Sequence, residues 1–427
     1  MPTPAATYTS REKLAVYIGV LLGFMFDGYD ILIISFLLVP MAASFHVGVP
    51  VIALGITLTL VASIIGGIFF GWVADSIGRK PTLFITIVVF GVSTLLTGFV
   101  TNIPELYILR FITGLGVGGE WGIGFTLLTE AWSEKSRGAA GGFLASMYVF
   151  GGIAGVLTAA FTLPLFGAEL GWRYAFMIAG GLALVLLSMR FFMPESKVWL
   201  EYNNAKKKGL LPPGYSLKSP VLEIFSRKFI RYTLCGTAMA CGYLFFTYSF
   251  LSFMPTYFSS VFKISIPVYS EMILIAQLFS VVGYVFNGFL ADIIGRKKDA
   301  IVYGIICFIA IAFFWLEAAT PPTFSSIITF PVFFAYMAVY FSAGFTAEFG
   351  IWIGEHFATK LRATGSNFAY MVGRGLGAGF APIIVPLWSN TYGLGVAIAI
   401  GMMIGAIIQF VAIIGLKETK GTKITAL

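Results

Sequence analysis

The sequence predicts an all-α integral membrane protein whose twelve transmembrane helices form two pseudo-symmetric six-helix bundles. Three observations carry this. Of its 427 residues, 58% are hydrophobic and only 11% charged, against about a quarter charged in a soluble domain, and mean hydropathy is +0.92. The apolar residues fall into long stretches, each near the roughly 20 residues that a spanning helix needs. A ten-residue pattern occurs twice, as Gly71-Trp72-Val73-Ala74-Asp75-Ser76-Ile77-Gly78-Arg79-Lys80 and Gly288-Phe289-Leu290-Ala291-Asp292-Ile293-Ile294-Gly295-Arg296-Lys297, its copies 217 residues apart. That interval is half the chain, so the protein reads as a duplication.

In the first half the stretches lie near 14–40, 51–74, 81–101, 105–130, 137–164 and 172–193; in the second, near 229–258, 268–290, 299–317, 323–354, 362–386 and 392–416. The first is long, carries Asp27 and Asp30 and lacks a small-residue cleavage pattern, so it is expected to be retained rather than removed as a secretory signal. Each copy of the repeated pattern closes one stretch and opens the next, as a short charged loop between helices does. The only long polar segment, 194–228, holds Lys206-Lys207-Lys208, Pro212-Pro213 and Arg227-Lys228. It is expected to link an N-terminal bundle, 1–193, to a C-terminal bundle, 229–427. The halves echo each other again where Gly119-Glu120-Trp121-Gly122 answers Ala347-Glu348-Phe349-Gly350, and where Glu130 with Arg137 answers Glu355 with Arg362.

The net charge of +8 points to topology rather than to nucleic acid, because the cations fall on one side. With the N-terminus in the cytoplasm, Arg11, Lys13, Arg79, Lys80, Lys135, Arg137, Lys206, Arg227, Arg296, Lys297, Lys360 and Arg362 are all inside, and the opposite loops hold little more than Arg173 and Lys263. The positive-inside rule then places both termini in the cytoplasm of a multi-pass plasma-membrane protein. Cys235, Cys241 and Cys307 show no metal or redox spacing and are expected to be buried structural thiols. His46 and His356 make no metal site by themselves. Gly114-Leu115-Gly116-Val117-Gly118-Gly119 matches a dinucleotide fingerprint, but it sits inside an apolar helix, where small residues serve close packing. With no nucleophile–base arrangement and no phosphate loop, the sequence speaks against an enzyme and calls for no cofactor, metal or ATP.

On these residues the chain resembles the major facilitator superfamily: the paired Gly-x-x-x-Asp-x-x-Gly-Arg-Lys loops, the twelve-helix plan and the central linker match it over nearly the whole length. Asp27-Gly28-Tyr29-Asp30 resembles the first helix of aromatic-acid:proton symporters. Gly118-Gly119-Glu120-Trp121-Gly122 and Pro194-Glu195-Ser196 resemble the sialate and lactate proton symporters. The fourth stretch departs from the aromatic-acid group in its continuation, and the seventh lacks the polar signature of fungal lactate carriers. The resemblance implies a monomeric secondary active transporter: proton-coupled symport of a small organic anion, of monocarboxylate class, by alternating access around a site between the repeats.

A charge at the bilayer centre costs at least about 2.5–3.5 kcal/mol, so each one is a functional candidate. Arg374 lies about twelve residues into the eleventh stretch, or roughly 18 Å at the helical rise. Its guanidinium fork suits a carboxylate, which makes it the expected substrate anchor; a structural ion pair is the alternative. Arg110 is a second candidate, or else the partner of Asp30. Asp27 and Asp30 share a helix face and, with Glu120, are candidates for the proton, because burial and neighbouring carboxylates favour protonation. Gln277, Asn367, Tyr370, Tyr243 and Tyr248 are expected to complete the cavity, whereas Glu348 reads as structural. Asp75, Arg79, Asp292 and Arg296, with Glu130, Arg137, Glu355 and Arg362, are expected to form a conformational latch, the alternative being topology determinants only. Two other readings stay open: a proton-coupled drug exporter or neutral sugar or polyol carrier on the same fold, and a membrane sensor derived from a transporter.

Overall fold

The computed structural model describes residues 8–211, 219–263, 266–319 and 330–424, and among them every regular element is helical. The first half comprises α1 (Ser10–Ser44), α2 (Val49–Ile77), α3 (Arg79–Thr97), α4 (Ile103–Ala131) and α5 (Arg137–Arg190). Two short helices follow, α6 (Lys197–Lys207) and α7 (Pro220–Glu223). The second half comprises α8 (Ile230–Leu251), α9 (Met254–Ser260), α10 (Ile266–Ile294), α11 (Arg296–Ala319), α12 (Phe330–Ser342), α13 (Thr346–Glu348), α14 (Arg362–Tyr392) and α15 (Leu394–Gly415). Among the described residues ten helices are long and apolar enough to cross a membrane.

Two sequence boundaries change. The fifth and sixth stretches are the arms of α5, which reverses at Gly167, where φ is +74°; positive φ is open to glycine at little cost. The tenth stretch reads as one apolar run, yet its helix is interrupted: α12 gives way to a 3₁₀ turn at Ala343–Phe345, to α13, and to a π turn at Phe349–Ile353. The break falls where Gly344 meets Gly283 backbone to backbone, with no room for a Cβ. The start of that stretch, 323–329, and Pro212-Pro213 of the linker lie outside the described residues.

The repeated pattern now has a physical basis. Its inner glycines, Gly78 and Gly295, adopt φ of +115° and +101° and turn the chain sharply between two helices. Its first glycines, Gly71 and Gly288, lie where the halves touch: Gly71 against Ala363 and Thr364 of α14, Gly288 against Gly138 and Ala139 of α5. Outward-facing Phe69, Leu157, Val185 and Leu387 are exposed, an apolar girdle of the kind a bilayer covers. Cys307 is buried as expected, whereas Cys235 and Cys241 are only half-buried.

Candidate functional site

Between the halves lies a cavity of about 520 Å³. Phe24, Asp27, Trp121 and Tyr148 line it from the first half, and Tyr243, Tyr248, Gln277, Tyr284, Tyr340, Tyr370 and Arg374 from the second. It extends to Ser35, Leu251 and Ser252, away from the repeated loops. Arg374 is 8% exposed and makes no ion pair among the described residues; its charge acts on the phenol groups of Tyr370, Tyr148 and Tyr248 and on Asp27. Asp27 is buried, with Oδ1 unpartnered. Trp121 stacks on Tyr370 with centroids 3.7 Å apart, so one wall of the cavity is a flat aromatic pair contributed by both halves. A buried guanidinium without a protein carboxylate, an unpartnered carboxyl and several phenol hydroxyls together make a site for a small polar molecule.

The structure divides the expected site residues. Arg374, Gln277 and Tyr370 line the cavity; Arg110 and Asn367 do not. Arg110 pairs with Asp30 at 3.5 Å, donates to the hydroxyl oxygens of Thr97 and Thr113 at 2.9 and 3.0 Å, and sits over the Phe176 ring. Asp30 also accepts from Thr94. Asn367 Oδ1 accepts from the Gly122 N–H at 3.0 Å, at the crossing of α4 and α14. Of the acidic candidates only Asp27 reaches the cavity, for Glu120 is paired with Arg190 and accepts from Thr86. Sequence reasoning passes over Arg190 because it stands at the end of its stretch, beside the linker cations. It also passes over Tyr148, Tyr284 and Tyr340, which nothing in a single sequence separates from packing tyrosines.

At the repeated-loop end the halves are joined by two buried networks related by the duplication. In one, Arg79 bonds Glu130 at 3.0 and 3.1 Å and Asp75 at 3.1 Å. Glu130 also accepts from Arg362 and Ser196, each at 2.6 Å, while Asp75 caps the start of α14, accepting from the N–H groups of Ala363 and Thr364 and the Thr364 hydroxyl. In the other, Arg296 bonds Asp292 at 2.7 Å and approaches Glu355 at 3.5 Å. Glu355 accepts from Arg137 at 2.7 Å and from Thr419, and Asp292 caps the start of α5 through Gly138 and Ala139. The glutamate–arginine pairs seven apart thus do not bond within their own loops: each glutamate takes the arginine of the opposite half.

Two further carboxylates brace the loops. Glu195 accepts from the N–H groups of Arg79 and Lys80, and Glu418 from those of Arg296 and Lys297. Burial pushes the Glu195 carboxyl up from its ordinary value despite those donors. For the less buried Glu418, burial acts the same way but the backbone donors at Lys420, Arg296, Lys297 and Thr419 outweigh it and hold the carboxyl low. Glu195-Ser196 and Glu418-Thr419 occupy matching positions in the two halves, a repeat the sequence contains.

The family pattern of the Major Facilitator Superfamily matches residues 20–382. The chain belongs to the Major Facilitator Superfamily. It is therefore a multi-pass membrane transporter of small molecules rather than an enzyme, with the twelve-helix, two-domain architecture of that superfamily. It is 31% identical over 380 residues to the sialic acid transporter NanX of Escherichia coli (strain K12), covering 89% of this chain and 88% of that protein. It is 27% identical over 387 residues to the cis,cis-muconate transport protein of Acinetobacter baylyi (strain ATCC 33305 / BD413 / ADP1), covering 89% and 88%. Its fold matches that of the proton:xylose symporter XylE bound to 6-bromo-6-deoxy-D-glucose, with a TM-score of 0.77 over 98% of both chains at 18% identity.

Proposed function

We propose that this transporter is a proton-coupled symporter of a small organic anion of monocarboxylate class, with Arg374 as the carboxylate anchor. The observation that carries the reading is that Arg374 is buried at the cavity between the halves without a carboxylate of its own among the described residues. A guanidinium keeps its charge, and its fork meets a carboxylate through two parallel hydrogen bonds. Relatives named for sialic acid, with one carboxyl group, and for cis,cis-muconate, with two, support a carboxylate at that anchor. Tyr370 and Gln277 complete the substrate contacts and Asp27, which lines the same cavity and has an unpartnered buried Oδ1, takes the proton. Asp30 and Glu120 serve as ion-pair partners of Arg110 and Arg190.

The repeated-loop end is taken as cytoplasmic on the strength of its cations, with the protein monomeric in the plasma membrane. The closed networks at that end, and the cavity reaching the other way, then correspond to an outward-facing state. Residues 1–193 and 229–427 rock as two bodies about the 194–228 linker, and the two charged networks act as the latch that parts as the inner side opens.

The test is the external pH of a lightly buffered suspension of de-energised vesicles containing the protein, recorded as short-chain, aromatic and sugar acids are added in turn. Alkalinisation with one acid, absent in Arg374→Ala vesicles and strongly reduced in Arg374→Lys, is the expected result. Silence with every acid, or an Arg374→Lys variant that transports as wild type, overturns the reading in favour of a neutral solute or export.

A further inference from the structure

A second group of buried acids lies outside the cavity, in the second half. Glu348 closes α13 and opens the π turn Phe349–Ile353, a local geometry that occurs often at functional sites. It is 3% exposed, and neither of its carboxylate oxygens receives a hydrogen bond. Asp299, fully buried on the first turn of α11, accepts from Asn287 Nδ2 at 2.5 Å through Oδ2. Its Oδ1 has no partner, nor does Oδ1 of the fully buried Asn287. The carboxyl groups of Asp299 and Glu348 lie within hydrogen-bonding reach of each other. Ionised, both are acceptors only, so they face each other with no donor between them. One proton turns one of them into the donor and closes that bond. Two adjacent buried carboxylates do not both stay ionised, and such a pair titrates as a unit.

Among the described residues no cation forms an ion pair with either acid. Arg296, whose charge reaches both acids, bonds Asp292 through Nη1 and approaches Glu355 through Nε, with Nη2 unpartnered and no ion pair to either acid, and Arg137 pairs with Glu355. Glu418 adds negative charge to the field at Glu348. Tyr303, on the same helix as Asp299, directs its hydroxyl to the Gly283 carbonyl at 2.9 Å, and Cys307 is a neutral neighbour. The first half solves the same problem with a cation. Glu120, the counterpart of Glu348, has Arg190, and Thr82 stands where the second half has Asp299. Arg190 lies five residues before Glu195; the residue five before Glu418 is Ile413.

We propose that Asp299 and Glu348 form a proton-binding site separate from the central cavity, sharing one exchangeable proton while the repeated-loop end is closed. Arg296, Glu355 and Glu418, which surround the site, belong to or brace the network that joins the halves there. Parting of that network admits water, and the proton leaves to it. The closed state therefore binds more protons, and acid favours it, by at most about tenfold in the closed-to-open ratio per pH unit for one proton. The inference needs no substrate and stands apart from the anion reading.

The test uses the full-length protein in liposomes without substrate. Infrared spectra at neutral pH, in sodium-free choline buffer, are compared for wild type, Asp299→Asn, Glu348→Gln, Asp27→Asn and Asp299→Thr, the last copying the first half. A carboxylic-acid carbonyl band lost in each of the Asp299 and Glu348 variants and kept in Asp27→Asn is the expected result. In parallel, the distance between spin labels across the repeated-loop end is followed against pH. Wild type is expected to open as pH rises, and Asp299→Thr and Glu348→Gln to lose that dependence. A band unchanged in every Asp299 and Glu348 variant, or a wild-type band abolished by adding sodium, overturns the proposal; the latter identifies a cation site instead. A failed anion assay with this band present would leave the proton site standing.

Discussion

The two halves share a charged skeleton but not a charge balance. In the first-half network, Asp75, Glu130 and Glu120 face Arg79, Arg362 and Arg190 one for one. In the second, among the described residues, the four acids Asp292, Glu355, Asp299 and Glu348 have two arginines near them, Arg296 and Arg137. The core of the contact is reproduced: the aspartate on a helix start, the glutamate between two arginines, the hydroxyl of Ser196 or Thr419 on that glutamate. Duplication has kept the geometry of the contact and left its electrostatics free to diverge. One copy is a set of ion pairs in which each acid has its cation, and the other carries surplus acid that a proton can offset.

The largest expected effect comes from breaking the balanced copy. Glu130→Ala strands the buried Arg362, leaves Arg79 with Asp75 as its one ion-pair partner among the described residues, and should cost about 3–5 kcal/mol, the usual loss when one partner of a buried pair is removed. Glu355→Ala should cost clearly less, since it removes charge from an over-negative cluster. Thermal unfolding of both variants in the same detergent checks the order, and equal losses would break the comparison. The same contrast should hold between Glu120→Gln, which leaves Arg190 uncompensated and lowers the melting temperature, and Glu348→Gln, which relieves a like-charge contact and leaves it unchanged or raised. Below these stands Gly23→Ala. A Cβ there would fall on the Arg190–Glu120 pair, and overpacking of this kind costs about 1–3 kcal/mol. Beside Glu348 the tight glycines meet other groups, Gly344 the Gly283 backbone and Gly350 the Phe125 ring, so small-to-large changes there should disturb helix packing rather than an ion pair.

Much of this architecture is legible in the sequence alone. The periodic apolar stretches, the linker and the paired loops carry their signal in composition and spacing, and Asp27 and Arg374 stand out because a charge in an apolar run is rare. What stays hidden there are facts of pairing. Asp30 and Glu120 read like Asp27, and only the side chains brought up by Arg110 and Arg190 separate bound acids from the free one. Arg190 looks like a linker cation because a long side chain hides how far it reaches. The broken tenth helix is invisible in hydropathy, as is the close contact of Gly344 with Gly283 at which the break falls. The glutamates at 195 and 418 are readable in principle, as a repeat following the repeat.

The smallest expected effects concern the two helix caps, and they sharpen the comparison most. Asp75 receives three donors from α14, the hydroxyl of Thr364 included, whereas Asp292 receives two N–H groups from α5. These bonds cross between the halves, so removing them destabilises the closed state and leaves the opened one untouched. Loss of an N-cap side chain costs about 0.5–2 kcal/mol, so Asp75→Ala should raise the open-to-closed ratio about 2- to 30-fold. Asp292→Ala should shift it by a smaller factor, and Asp75→Asn, which keeps an acceptor and loses only charge, by less than Asp75→Ala. The measurement is the modification rate of a cysteine placed on either side of the contact. Its pH dependence decides more than its size. If the second network is the proton-sensitive copy, the Asp75→Ala protein should still open further as pH rises. The same background with Glu348→Gln added should not.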